Sequence, residues 1–296
     1  MRRTGIVIAV GLILTLSCAN RGAHSRKQSS TPKVDSVNFT MVQPPAMLDD
    51  NAQRLDYALE HFWDKLSPEC YHSQVEGQFA NWIWISEQVS RRKACESLIK
   101  AYEKSPEVIL ALAEKYLYDP QSPYRDEDIY GALAAYVGGD LQKTARLCAL
   151  NAVGTPAADF TIEDARGRHF SLYNVKAKFT LLFFSNPYCN ACKEIIDALK
   201  SSEQVTKALE TGELAVVNMY VDEDLEQWRS YLKVYPKSWK SGFDPTFTLQ
   251  DSEKYNIRAI PSLYLLDENK VVLLKDAPLE KVMSRLEKKS ESNGEF

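Results

Sequence analysis

One stretch of this chain constrains its fold more than any other. Phe179-Thr180-Leu181-Leu182-Phe183-Phe184 is a continuous apolar run, the pattern of a strand buried on both faces. Cys189 and Cys192 stand just beyond it, and an amphipathic helical stripe through Ile195, Ile196 and Leu199 follows at once. A second apolar run, Leu214 to Val221, comes next. Strand, helix and strand in this order form a parallel pair joined by a right-handed crossover. The chain therefore contains an α/β layer with a cysteine pair at a strand-to-helix junction.

That junction suits thiol chemistry. Unpaired N–H groups and the positive end of the dipole at a helix N-terminus stabilise a thiolate, drawing the first cysteine below the ~8.5 of a free thiol. Cys189 is thus the candidate nucleophile. Cys192, one helical turn on, can close a small disulfide ring with it and release a mixed-disulfide partner, so it is the candidate resolving thiol. Zinc would need further ligands at matching spacing, and His24, His61, His72 and His169 are scattered, so no metal site is expected. No cofactor is expected either.

The same half of the chain carries further strand signals. Phe160 to Glu163, a turn at Asp164-Ala165-Arg166-Gly167, and His169 to Leu172 read as a β-hairpin. Asn256-Ile257-Arg258-Ala259-Ile260-Pro261-Ser262 leads into a strand at Leu263 to Leu266, which turns at Asp267-Glu268-Asn269 into Val271 to Leu274. A proline at a strand start can be cis at a cost of only ~0.5–1 kcal/mol. Between Asp222 and Asp251 a helix with Leu225, Trp228, Tyr231 and Leu232 precedes an aromatic loop, Tyr235 to Phe243, whose Trp239 and Phe243 either border a cleft or simply pack. A last helix, about Pro278 to Leu286, covers the sheet.

In these residues the second half resembles the thioredoxin superfamily, and within it the membrane-tethered thiol-disulfide oxidoreductases of the bacterial envelope. The resemblance implies that Pro261 is the cis-proline facing the cysteine pair, that the backbone of Ile260 pairs with an extended substrate segment, and that Tyr188 stands where the family usually has Trp. Phe183 departs from the pattern, occupying the place six before Cys189 where many thioredoxins bury a carboxylate; Glu194 is the nearest acid in sequence. Asn190-Ala191 replaces Gly-Pro, and that dipeptide tunes the potential, which leaves reductase and oxidase directions both open. Peroxiredoxins share the fold but place a Thr three residues before the cysteine, where this chain has Asn186.

The first half has a different period. Leu55, Leu59, Phe62, Trp63 and Leu66 mark a helix over residues 50–66, stopped by Pro68. Val75, Phe79, Trp82, Ile83 and Val89 form a second stripe, and Cys95, Leu98, Ile99 and Tyr102 a third. Ser105-Pro106-Glu107 starts another helix running to about Leu117. Ile129 to Val137 is a further one, ended by Gly138-Gly139, and Asp140 caps the last, through Cys148. Tyr116 to Tyr130 followed by Leu150 to Phe160 is similar to the helical domain of unknown function that precedes a thioredoxin-like domain in a family of Gram-negative envelope lipoproteins. Tyr116, Tyr118, Pro123, Tyr124 and Arg125 line either a partner surface or a well-packed turn.

The N-terminus reads as an export signal. Arg2 and Arg3 precede an apolar stretch, Ile6 to Leu16, too short to span a membrane. Leu14-Thr15-Leu16-Ser17-Cys18 resembles the lipobox of a bacterial lipoprotein, with Thr15 where Leu is usual. Cys18 then carries the lipid, and residues 19–34, rich in Ser, Arg and Lys, form a tether. Ala19 in place of an acid points to the outer membrane, facing the periplasm.

The expected organisation is a signal peptide at 1–17, lipidated Cys and tether at 18–38, an all-α domain at 39–151, an α/β thioredoxin-like domain with a mixed sheet at 152–288, and a disordered tail at 289–296. Cys70, Cys95 and Cys148 are expected as buried free thiols, with a Cys70–Cys95 bridge as the alternative. With 36 basic against 40 acidic residues the formal net charge is −4, so nucleic acid is not an expected partner. The expected activity is disulfide exchange with protein thiols and disulfides, supported by a membrane or periplasmic electron donor. The competing expectation is a scaffold whose helical domain binds a partner and whose cysteine pair is vestigial or regulatory.

Overall fold

A computed structural model of the chain describes residues 42–70, 72–249 and 254–291, and these fall within one compact unit. The expected signal peptide and the whole of the tether lie outside the described residues.

The first half is all helical. Helices α1 (Asn51–Glu60), α2 (His72–Ser86), α3 (Arg91–Lys104), α4 (Pro106–Ala113), α5 (Glu127–Val137) and α6 (Gln142–Cys148) enclose a core of their own, built on Phe79, Trp82, Leu98, Ile109 and Leu133. Local chemistry sets several ends. Asp50, Ser90 and Asp126 accept from the backbone N–H three residues on, capping α1, α3 and α5, and Gly138 ends α5 at φ +69°. The indoles of Trp63 and Trp82 both donate to the buried Ser97 hydroxyl, at 3.1 and 3.2 Å, so two core N–H groups are satisfied by one oxygen. Where α5 meets α6 the backbones are too close for a side chain: a Cβ on Gly131 would lie 2.6 Å from Cys148 Cβ.

Three helix boundaries differ from the expectation. α1 stops at Glu60 rather than 66, because the chain tightens into successive turns in which Leu66 N–H donates to Trp63 O; adjacent Phe62 and Trp63 both stay buried this way. α4 passes at Glu114–Tyr118 into a wider π-type turn. Asp140 makes no cap: it lies in a 3-10 turn, Gly139–Leu141, from which α6 emerges.

The second half is a seven-stranded mixed sheet in the order β2-β1-β5-β4-β3-β6-β7. Its strands are β1 (Thr161–Asp164), β2 (His169–Ser171), β3 (Phe179–Ser185), β4 (Leu214–Tyr220), β5 (Lys240–Phe243), β6 (Ser262–Leu266) and β7 (Val272–Leu274). Central β3 is buried along its whole length, parallel to β4 and antiparallel to β6. Its side chains alternate: Leu181 and Phe183 face a core shared with α7 (Asn190–Ser201), α8 (Glu203–Glu210) and α10 (Leu279–Glu291), whereas Leu182 and Phe184 face Phe160, Val175 and Tyr255. The edge beyond β7 is not left open, since Gly154 and Ala157 N–H donate to Val272 and Lys270 carbonyls at 2.8 Å.

β5 corrects the reading of Tyr235 to Phe243 as a loop. Its four residues pair parallel with β4, and Gly242 and Phe243 pair antiparallel with β1, joining the hairpin to the sheet. Gly242 permits this, because a Cβ there would meet Ile162 Cγ2 at 2.5 Å and the Glu163 carbonyl oxygen at 2.6 Å. Helix α9 (Leu225–Tyr231) packs its buried Trp228 against Phe243, so that ring is core rather than cleft wall. α10 continues to Glu291, past the end of its apolar stripe and into the stretch expected as tail; Glu and Lys, frequent in its sequence, are good helix formers.

Candidate redox site

β3 delivers the chain to the cysteine pair through a short turn in which Pro187 is buried and Tyr188 takes φ +62°. This turn aims Tyr188 outward, 69% exposed, with its ring against Tyr231 at 5.6 Å. Cys189 then occupies the N-cap of α7, where Ser, Thr, Asp and Asn are usual, and its sulfur takes the capping role. The Cys192 N–H donates to Cys189 Sγ at 3.1 Å, and the Lys193 N–H donates to the Cys189 carbonyl at 3.0 Å. The first of these acts on the sulfur itself at the positive end of the helix, the arrangement that favours charge there once the pair is reduced.

Cys189 and Cys192 are joined as a disulfide, with Cα atoms 5.2 Å apart. The two differ in access. Cys189 is half-buried, whereas Cys192 is buried in the core with Ile196 and Leu199. Only the first sulfur can be approached from outside.

The Ile260–Pro261 peptide is cis, and Ser262 begins β6 opposite Phe184. Because β6 runs antiparallel to β3, Ile260 and Pro261 emerge at the sheet end from which Cys189 emerges. Ile260 and Cys189 both pack against the α7-side core, and Pro261 is half-buried. The fold thus gathers Tyr188, Cys189, Cys192, Ile260 and Pro261 at one end of the sheet.

Beneath the pair, Phe183 is buried edge-on against Trp239 at 6.4 Å, which makes Trp239 a packing residue. Glu194 is exposed on α7 and supplies no buried charge. Asn218, the register partner of Phe183 on β4, is fully buried and accepts from the Ser185 hydroxyl at 2.7 Å. The Tyr235 hydroxyl faces the same two residues; burial pushes its phenol up, with Ser185 and Asn218 pulling the other way. Uncharged polar groups therefore occupy the region beside Phe183. Sequence reasoning missed them, and its one available signal was an Asn inside the apolar run Leu214 to Val221.

Cys70, Cys95 and Cys148 are free, so the Cys70–Cys95 bridge is not formed. Cys18 lies outside the described residues. Of the aromatic turn weighed as a partner surface, Tyr124 is exposed, whereas Tyr118 stacks on Tyr130 at 4.4 Å and Arg125 pairs with Asp276 of the α/β half at 3.3 Å. Most of that turn is packing.

Comparison with known proteins agrees with this architecture. Residues 177–272 match a domain family described as thioredoxin-like, and residues 17–147 match a domain of unknown function, DUF5106. A thioredoxin-like protein from Bacteroides caccae ATCC 43185, known from its crystal structure, is 32% identical and superposes with a TM-score of 0.76, over 84% of this chain and 98% of that one. The C-terminal domain of an uncharacterized protein from Bacteroides fragilis NCTC 9343 is 42% identical over 46% of this chain and 98% of its own, with a TM-score of 0.45. The thioredoxin-like protein YneN of Bacillus subtilis (strain 168) is 27% identical over 124 residues, 40% of this chain and 68% of that protein.

Proposed function

Because the chain belongs to the thioredoxin-like family, with a DUF5106 domain ahead of its α/β half, we propose that it is a thiol-disulfide oxidoreductase of the bacterial cell envelope. The observation that carries this is the asymmetric pair, an accessible Cys189 capping α7 and a buried Cys192 bonded to it, at the sheet end that also presents Ile260 and Pro261.

In the reducing direction, the Cys189 thiolate attacks one sulfur of a protein disulfide. That S–S bond breaks, a mixed disulfide forms, and one substrate sulfur leaves as thiolate. Cys192, as thiolate, then attacks Cys189 Sγ, expelling the second substrate sulfur and leaving the Cys189–Cys192 disulfide. Two electrons have passed to the substrate. A membrane or periplasmic dithiol restores the pair by the same exchange in reverse. The backbone at Ile260 pairs with the extended substrate segment, and Tyr188 borders it.

Lipidation at Cys18, on the strength of Leu14-Thr15-Leu16-Ser17-Cys18, anchors the protein to the periplasmic face of the outer membrane. A Cys18→Ser variant that still fractionates with membranes overturns this anchor.

Insulin reduction by the purified protein, supplied with a dithiol, tests the activity. Turnover above a Cys189→Ser control is expected; turnover equal to that control sinks the enzyme reading in favour of a scaffold with a vestigial or regulatory disulfide.

A further inference from the structure

The segment that leads into Pro261 is held by the helical half of the chain. Arg258, three residues before Pro261, is only 10% exposed, and two of its donors leave the α/β half altogether. Its Nε donates to Glu127 Oε1 at the start of α5, and one terminal N–H donates to the Tyr118 carbonyl. The guanidinium also lies over the Tyr118 ring, 4.2 Å from its centroid. Asn256 Nδ2 donates to the same Glu127 oxygen at 3.2 Å, and Asn151 Nδ2 to the Lys254 carbonyl at 2.6 Å.

Glu127 is the centre of this arrangement. Its side chain is 1% exposed, and Lys275 Nζ, itself 3% exposed, pairs with its other oxygen at 3.1 Å. Asp276 lies 3.4 Å from Arg258 and 3.3 Å from Arg125, and Asp128 3.4 Å from Lys275, so three cations balance three carboxylates, and removing any one of them leaves an uncompensated charge. Arg258 is therefore not free to drift, and neither is the chain three residues from Pro261. The planar fork of Arg258 adds direction as well as charge: Glu127 and the Tyr118 carbonyl hold it from the helical half, while its remaining terminal nitrogen reaches Asp276 Oδ2 of the α/β half at the longer distance of 3.4 Å.

We propose that Glu127 is a positioning residue for the redox site: acting through Arg258, it holds the Ile260–Pro261 edge in place, so that the helical half sets how tightly protein disulfides bind. This rests on the oxidoreductase reading above. It gives the DUF5106 half a task within the reaction rather than a separate partner to recognise.

The test is a split between binding and thiol reactivity. Glu127→Gln keeps the shape and removes the charge; KM for insulin is expected to rise about tenfold, the scale set by one lost charge-assisted hydrogen bond. The rate at which reduced Cys189 reacts with iodoacetamide, a small probe that needs no Ile260 edge, is expected to stay within about twofold of the parent. Tyr118→Leu, which removes the ring under Arg258 but keeps the carbonyl, is expected to raise KM by a smaller factor and serves if Glu127→Gln does not fold. An unchanged KM in either folded variant overturns the proposal, as does a parallel loss of KM and alkylation rate, which marks general loosening. If the parent protein reduces no insulin, the oxidoreductase reading fails instead. Amide exchange over Ile257 to Leu263 then decides the positioning claim, with faster exchange in the variant supporting it and unchanged exchange overturning it.

Discussion

The backbone N–H of Cys192 points at Cys189 Sγ across 3.1 Å, and the two residues differ in access, the first half-buried and the second buried. One helix turn thus divides two roles between chemically identical side chains. After reduction, Cys189 is expected to take up iodoacetamide at neutral pH well before Cys192. Peptide mass mapping of the singly alkylated protein checks this, and modification first at Cys192 contradicts it. Cys192→Ala is expected to accumulate mixed disulfides in cells that a Cys189→Ser/Cys192→Ala double variant does not form.

Cys95 and Cys148 should stay silent at neutral pH. Burial, and then the charge of Asp126, push Cys95 up to about 11; burial, and then Glu127, push Cys148 up to about 12. Both folded values exceed the ~8.5 of an unfolded thiol, so the stability they contribute is complete below that pH and is lost as pH rises toward 11 and 12. The urea midpoint is expected to fall between pH 8 and pH 10, and less steeply in Cys95→Ala. An equal slope in both proteins counts against Cys95 as a source.

Asp244 follows β5 and organises the turn that comes after it. Burial pulls its carboxyl upward, but hydrogen bonds from Thr246, Thr248 and the Leu249 N–H outweigh this and hold it below the usual carboxylate range. Its contribution is therefore present above the ordinary Asp value and lost as pH falls through that value toward the depressed folded one. Asp244→Ala is expected to cost about 1–3 kcal/mol, since it strands buried donors. Asp244→Asn should flatten the acid limb of a stability-against-pH curve; a limb identical to the parent's argues against this carboxylate.

Gly242 is the point at which the hairpin can join the sheet. Gly242→Ala places a methyl against Ile162 and the Glu163 carbonyl, so β1 and β5 must separate. Destabilisation of about 1–3 kcal/mol in urea unfolding is expected. Gly77→Ala, where a Cβ meets nothing within 4 Å, is the matched control and should be neutral or slightly stabilising.

How much of this was legible beforehand depends on the range of the interaction concerned. The apolar run of β3, the stripe of α7, the cysteine spacing between them and the proline ahead of β6 are local patterns. Each reports the surroundings of its own element, so fold class and the place of Cys189 and Cys192 at a strand-to-helix junction could be read directly, whereas setting Ile260 and Pro261 beside them rested on the family resemblance. β5 could not. Four residues containing a glycine carry no periodicity of their own, and they become a strand only because β4 and β1 offer hydrogen bonds on either side. The polar residues beside Phe183 were hidden for a related reason: Asn218 and Tyr235 are brought to Ser185 from two other parts of the fold.

The sequence by itself determined the order of the strongly patterned elements and the chemistry at the head of α7, because short-range spacing is enough to specify both. Only the tertiary structure decided that Arg258 answers to Glu127, 131 residues away. In the sequence each is one charge among many. They become partners because burial denies both of them water, and the packed fold brings them together in one cluster with Lys275 and Asp276.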